Sequence, residues 1–305
     1  MSGLPIIFLS LCQMFSSCAD SQFLDKSKKE QSILMGQAVP LNGILAQKVV
    51  MIVRELDLSS NQPAFFGLCS GVLIDSRTVL TAAHCIGKAI GKMRVITHPH
   101  PRATDLSGSS DVHKVFGARI HPNYAARIHK DRPEDLTDLV SRTDLALILI
   151  ENQIKTDSNV HDKIGRDFNA QDIDVVFAGF GRRTALRDTS NSNPDEMNGI
   201  LFQAENRISL EQSNAASFSL NQWERSGVCH GDSGSPVFLK NPYTKQFTLS
   251  AIAINIFETN SDQKNELDPH QNYSNCAANG LFLNLGPHEN WIRQSAEELK
   301  NQFQF

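Results

Sequence analysis

The chain has 305 residues, 40% hydrophobic and 20% charged, with 29 basic and 33 acidic side chains and a formal net charge of -4. That is ordinary for a globular protein with a substantial core. The charge is too small and too well mixed to imply nucleic acid or an anionic membrane surface as a partner, and neither is expected on that ground.

Leu4 to Phe15 is apolar apart from Pro5, Ser10 and Gln13 and holds no ionisable side chain. A bilayer needs ~20 apolar residues, so this stretch is too short to span one and has instead the length of a signal-peptide core. No Lys or Arg precedes it. Two processing patterns overlap here. Ser17 and Ala19 supply the small residues that a signal peptidase needs, while Phe15-Ser16-Ser17-Cys18 is similar to a lipoprotein box that would lipidate Cys18. Residues 1–19 are therefore read as a signal peptide, and membrane attachment is expected only through Cys18. A buried N-terminal helix is the competing reading. Residues 20–32 carry six charges without periodicity and read as a removable pro-segment. Export places the chain in a periplasmic or extracellular space. Of six cysteines, Cys12 and Cys18 fall in the signal, leaving Cys69, Cys85, Cys229 and Cys276, an even number that suggests two disulfides. No CxxC pair or Cys/His spacing suggests zinc, and no metal is expected.

From Ile33 the pattern changes to short β-branched runs separated by Gly, Pro, Asn, Asp and Ser clusters. Expected strands include Val49 to Val53, Leu145 to Ile150, Asp174 to Ala178, Pro236 to Leu239 and Leu249 to Ile256. Polar stretches at 100–112, 128–142, 187–198 and 258–275 read as surface loops. Trp291, Ile292, Ala296, Leu299 and Phe303 recur at helical spacing and predict a C-terminal helix over Asn290 to Phe303. No repeat and no second domain is evident, so residues 33–305 form one all-β sandwich or barrel domain.

Three segments carry chemistry. Cys69-Ser70-Gly71-Val72-Leu73-Ile74 precedes Leu80-Thr81-Ala82-Ala83-His84-Cys85, and a bridge between Cys69 and Cys85 would hold the strand that positions His84. Arg142-Thr143-Asp144-Leu145-Ala146-Leu147-Ile148 puts an aspartate at the start of a strongly apolar strand. It is either a surface residue or a buried carboxylate that needs a partner such as the Nδ1–H of His84. Gly231-Asp232-Ser233-Gly234-Ser235-Pro236 surrounds a serine with glycines that let the backbone turn its N–H groups into a cleft. A serine hydroxyl is a poor nucleophile until an oriented imidazole takes its proton and donors await the oxyanion.

At these segments the chain resembles the chymotrypsin-like (trypsin-fold) serine peptidases. The order His84…Asp144…Ser233 is that family's order and differs from those of subtilisin-like and α/β-hydrolase enzymes. Gly179-Phe180-Gly181 is similar to the family's Gly-Trp-Gly, and Trp291-Ile292 to the start of its C-terminal helix. The resemblance implies two antiparallel β-barrels with the site between them and a C-terminal α-helix. It implies His84, Asp144 and Ser233 as catalytic triad, with the N–H groups of Gly231 and Ser233 as oxyanion hole. It also implies a second bridge from Cys229 to Cys276, beside a substrate pocket of Gly227, Val228, Ile256 and Gly280. Gly227 offers no carboxylate at the pocket floor, so an apolar side chain before the scissile bond is expected rather than Lys or Arg, with Leu, Met or Val ahead of Trp. Ile254-Asn255-Ile256 stands where the family has Ser-Trp-Gly, and Ser235 where it has glycine. Ile33-Leu34-Met35-Gly36 is similar to the family's mature N-terminus, so cleavage after Ser32 would free an Ile33 ammonium to pair with Asp232.

The expected activity is an exported, monomeric endopeptidase acting on proteins or peptides through an acyl-enzyme, with no cofactor. Two rivals are a non-catalytic binding module that kept the fold and an esterase using the same triad.

Overall fold

The structure, a computed structural model, describes residues 36–56, 64–101, 109–125, 143–154, 164–165, 173–181, 199–208, 216–222, 225–241, 243, 246–257, 276 and 279–303. The signal peptide, the pro-segment, Ile33 and the polar stretches at 128–142, 187–198 and 258–275 lie outside them.

Six antiparallel strands close a barrel in the order β2 (Val49–Leu56), β3 (Ala64–Leu73), β4 (Thr78–Thr81), β7 (Ala146–Ile150), β6 (Val112–Ile120) and β5 (Met93–Ile96), which returns to β2. Closure leaves no unpaired edge. All five side chains of β7 are buried, which explains the unbroken apolar run that follows Asp144. Its second face is covered by the C-terminal helix (Glu289–Gln302), which contacts β6 and β7. Gly117 in β6 matters to that docking, because a Cβ there would sit 2.6 Å from the Phe303 ring.

The second half is a seven-stranded antiparallel sheet in the order β1 (Gln37–Ala38), β9 (Phe202–Ile208), β8 (Ile173–Gly179), β11 (Pro236–Lys240), β12 (Phe247–Phe257), β13 (Asn279–Asn284) and β10 (Ser217–Asn221). The first half is thus a closed barrel, while the described strands of the second form a sheet whose ends are β1 and β10. One face of it holds its own core of Val175, Phe177, Phe218, Val237, Ala251 and Phe282, with the rings of Phe218 and Phe282 stacked at 4.9 Å. A larger apolar cluster runs from the barrel interior to Val176, Phe238, Ile252 and Leu283 of this sheet and on to Ile292, Ala296 and Leu299 of the helix. Burial of that continuous surface joins the two halves.

Four of the five expected strands end within two residues of their observed bounds, β2 runs three residues past Val53 to Leu56, and the C-terminal helix begins one residue earlier than expected. β11 covers β12 only as far as Ile252. Beyond that point β12 meets the turn around Ser233 instead, with Gly234 N–H donating to the carbonyl of Ala253 at 2.7 Å and Ala253 N–H donating to that of Ser235 at 2.9 Å. The register slips between Ala253 and Asn255, a bulge that bends the strand beside this turn.

Candidate active site

His84 lies in a single 3₁₀ turn, Ala83–Cys85, directly after β4. Asp144 lies just before β7, which pairs with β4, so two neighbouring barrel strands deliver the histidine and the aspartate to one end of the barrel. The carboxylate grips His84 twice. Oδ1 accepts the backbone N–H of His84 at 3.0 Å, and Oδ2 lies 2.7 Å from its Nδ1. The Asp144 side chain is 10% exposed and that of His84 36%, so the ring reaches solvent while its anchor is withdrawn from it. A short hydrogen bond to a shielded carboxylate places a proton on Nδ1 and leaves Nε2 as the basic nitrogen.

Ser233 belongs to a turn contributed by the second half. Its carbonyl accepts the N–H of Ser70 at 2.9 Å. Ser70 follows Cys69, which is bonded to Cys85, the neighbour of His84. The serine turn and the histidine turn are therefore tied to the same disulfide. Cys69, His84 and Cys85 lie within 4.8 Å of one another, but both sulfurs are consumed in the bond and offer no thiolate to a metal.

The turn needs its glycines. Gly231 has φ +95° and Gly234 φ +80°, backbone that L side chains rarely adopt. A Cβ on Gly234 would also lie 2.1 Å from Thr81 Oγ1 and 2.4 Å from the carbonyl of Ser70. Ser70, which sequence reasoning passed over, clamps the turn from the barrel side. Its hydroxyl donates to the carbonyl of Gly231 at 3.0 Å and accepts the N–H of Phe180 at 3.0 Å. The only signal for it was its place after Cys69.

Asp232 has no exposed surface. Its oxygens accept N–H groups from Gly181 at 2.8 Å and Cys229 at 2.9 Å. Burial pushes its carboxyl up to about 7, against the smaller opposing effect of those two hydrogen bonds. Among the described residues no cation pairs with it. Gly179 and Gly181 make room for this carboxyl, since a Cβ on either would fall within 2.5 Å of an Asp232 atom. That gives the Gly179-Phe180-Gly181 motif a physical reason.

Cys229 is bonded to Cys276, the second bridge implied by the family resemblance. Ile256 lies opposite Gly280 in the β12–β13 register and packs on that bridge. Gly227, Val228 and Gly280 all surround the side chain of Gln222, a buried residue that sequence reasoning did not single out. The four expected pocket residues are thus neighbours.

Comparison with known proteins identifies the family. The family described as Trypsin matches residues 54–277. "Trypsin, alkaline C" of Manduca sexta is 27% identical over 192 residues, covering 59% of this chain and 68% of that protein. "Trypsin, alkaline B" of Manduca sexta is 28% identical over 188 residues, with the same two coverages. "Clotting factor G beta subunit" of Tachypleus tridentatus is 22% identical over 246 residues, covering 74% of this chain and 70% of that protein. With the family matched over most of its length, the chain belongs to the trypsin family of chymotrypsin-like serine endopeptidases.

Proposed function

We infer that the protein is an exported endopeptidase in which Ser233 is the nucleophile, His84 the general base and acid, and Asp144 the group that orients and stabilises the imidazole. The observation that carries this reading is the double contact of Asp144 with His84, 3.0 Å to the backbone N–H and 2.7 Å to Nδ1, at the end of the barrel to which the Ser233 turn is bonded. In this reading Nε2 takes the hydroxyl proton as Ser233 attacks a peptide carbonyl, and then hands it to the leaving amine. The N–H groups of Gly231 and Ser233 receive the oxyanion, and water repeats the sequence on the acyl-enzyme. A donor fixed in place before the reaction needs no reorganisation during it, which supports a role for the Ser70 clamp on the Gly231 peptide.

Gly227 provides no carboxylate in the expected pocket, which supports an uncharged residue before the scissile bond rather than Lys or Arg. The two disulfides support folding in an oxidising compartment, and Leu4 to Phe15 supports export.

The test is Ser233→Ala, assayed on an unfolded protein substrate. The expected result is loss of turnover by about 10⁵-fold or more, because triad members act as a unit. The denaturation midpoint should barely move. Retention of more than a thousandth of the activity would refute the nucleophile assignment.

A further inference from the structure

Gln222 directly follows β10 and is 1% exposed. A carboxamide buried that deeply must have its polar atoms paired or bear their desolvation cost. Nε2 donates to the carbonyls of Val228 at 2.9 Å and Cys276 at 2.7 Å, while Oε1 accepts the N–H of Val228 at 2.6 Å. Both amide protons are therefore used. On either side of it stands a glycine. A Cβ added at Gly227 would lie 2.2 Å from Gln222 Cδ, and one added at Gly280 would lie 2.5 Å from Oε1. Side chains at those two positions would collide with the amide, so Gln222 fills the space that the two glycines leave.

These glycines stand on the loop leading to Ser233 and on the strand opposite Ile256. That loop is bridged to Cys276, whose carbonyl Gln222 also holds. A side chain on the acyl half of a substrate held at Ser233 would enter between these walls and meet the amide. We propose that Gln222 is a specificity-determining residue that shortens the primary pocket and restricts the residue before the scissile bond to small uncharged side chains such as Ala, Ser or Val. The proposal rests on the endopeptidase reading above and replaces the sequence-based expectation of Leu, Met or Val with smaller side chains.

Two physical arguments set the limit. A side chain reaching beyond Cγ has to displace the Gln222 carboxamide and break three hydrogen bonds at once. A charged side chain finds no compensation either, because the amide protons are spent on carbonyls and Gly227 and Val228 bring no ionisable group.

The test uses the mature enzyme and fluorogenic peptides that differ only at this residue, with active sites counted by a fluorophosphonate. Wild type should favour Ala and Val over Leu by about tenfold in kcat/KM, and over Phe and Arg by more. Gln222→Ala should raise the Leu-to-Ala ratio by about tenfold or more, since the two glycines then line an open slot. That variant leaves backbone groups of Val228 and Cys276 unpaired, so Gln222→Met provides a second reading. It keeps the length without the hydrogen bonds and should retain the small-residue preference. Equal cleavage after Leu and Ala by wild type would overturn the proposal even if neither variant folds. So would an active Gln222→Ala with the wild-type profile, or a Gln222→Met that opens the pocket as far as Ala does. Failure of the fluorophosphonate to label wild type is a different outcome, because it removes the endopeptidase reading and this proposal with it.

Discussion

Asp232 has no exposed surface and adjoins Ser233, yet among the described residues its carboxyl is held by the N–H groups of Gly181 and Cys229 and by no cation. Burial raises it from 3.8 to about 7, so between those pH values the folded chain binds a proton that the unfolded chain has released. Its contribution to stability is greatest below the unfolded value and falls as pH rises through about 7. His288 acts in the opposite sense, because burial, with a further push from His121, lowers it to about 4 and removes stability as pH falls. Comparing the uncleaved Ser233→Ala chain with the same chain carrying Asp232→Asn isolates the aspartate. The difference in urea midpoint should grow in favour of Asn as pH rises from 4 to 7.5, and a pH-independent difference would contradict the assignment. The residues proposed as the triad could be singled out in the sequence because each sits in a motif whose chemistry restricts it. Ser70 and Gln222 were not, because their work depends on atoms up to 161 positions away along the chain.

Strands and bridges are legible to the extent that their causes are local. β7 and β12 announce themselves through apolar runs that contain β-branched residues, whereas β1 has two residues and β10 alternates serine with Phe218 and Leu220 too briefly to stand out. The bridge between Cys69 and Cys85 was suggested by a histidine beside one cysteine, and it joins the middle of β3 to the turn after β4. It closes a loop spanning 16 positions, so the double variant Cys69→Ala/Cys85→Ala should lose roughly 3 kcal/mol of stability in the chain-entropy account. It should also lose activity at temperatures where the fold persists, because Ser70 and His84 flank that bridge. Denaturant titration and kcat/KM on the same preparation check this. A variant with reduced stability and undiminished activity would show that the bridge serves the fold alone.

At the scale of the whole molecule, barrel closure, sheet order and the bulge in β12 follow from contacts between distant strands, which residue patterns alone do not report. The resemblance supplied the two-part architecture, and the described strands resolve it into one closed barrel and one seven-stranded sheet. The activation route implied by the family resemblance would also be a property of the whole chain. Removal of residues 1–32 would bring an Ile33 ammonium to a buried carboxyl that has no cation among the described residues. N-terminal sequencing of active enzyme should therefore begin at Ile33, and full activity with residues 20–32 attached would exclude this route. The most direct test of the central claim is covalent: the purified enzyme is reacted with a fluorophosphonate and the modified peptide is identified by mass spectrometry. One adduct per chain, on Ser233, and its loss in His84→Ala is the predicted result. No adduct, or an adduct on another serine, would contradict it.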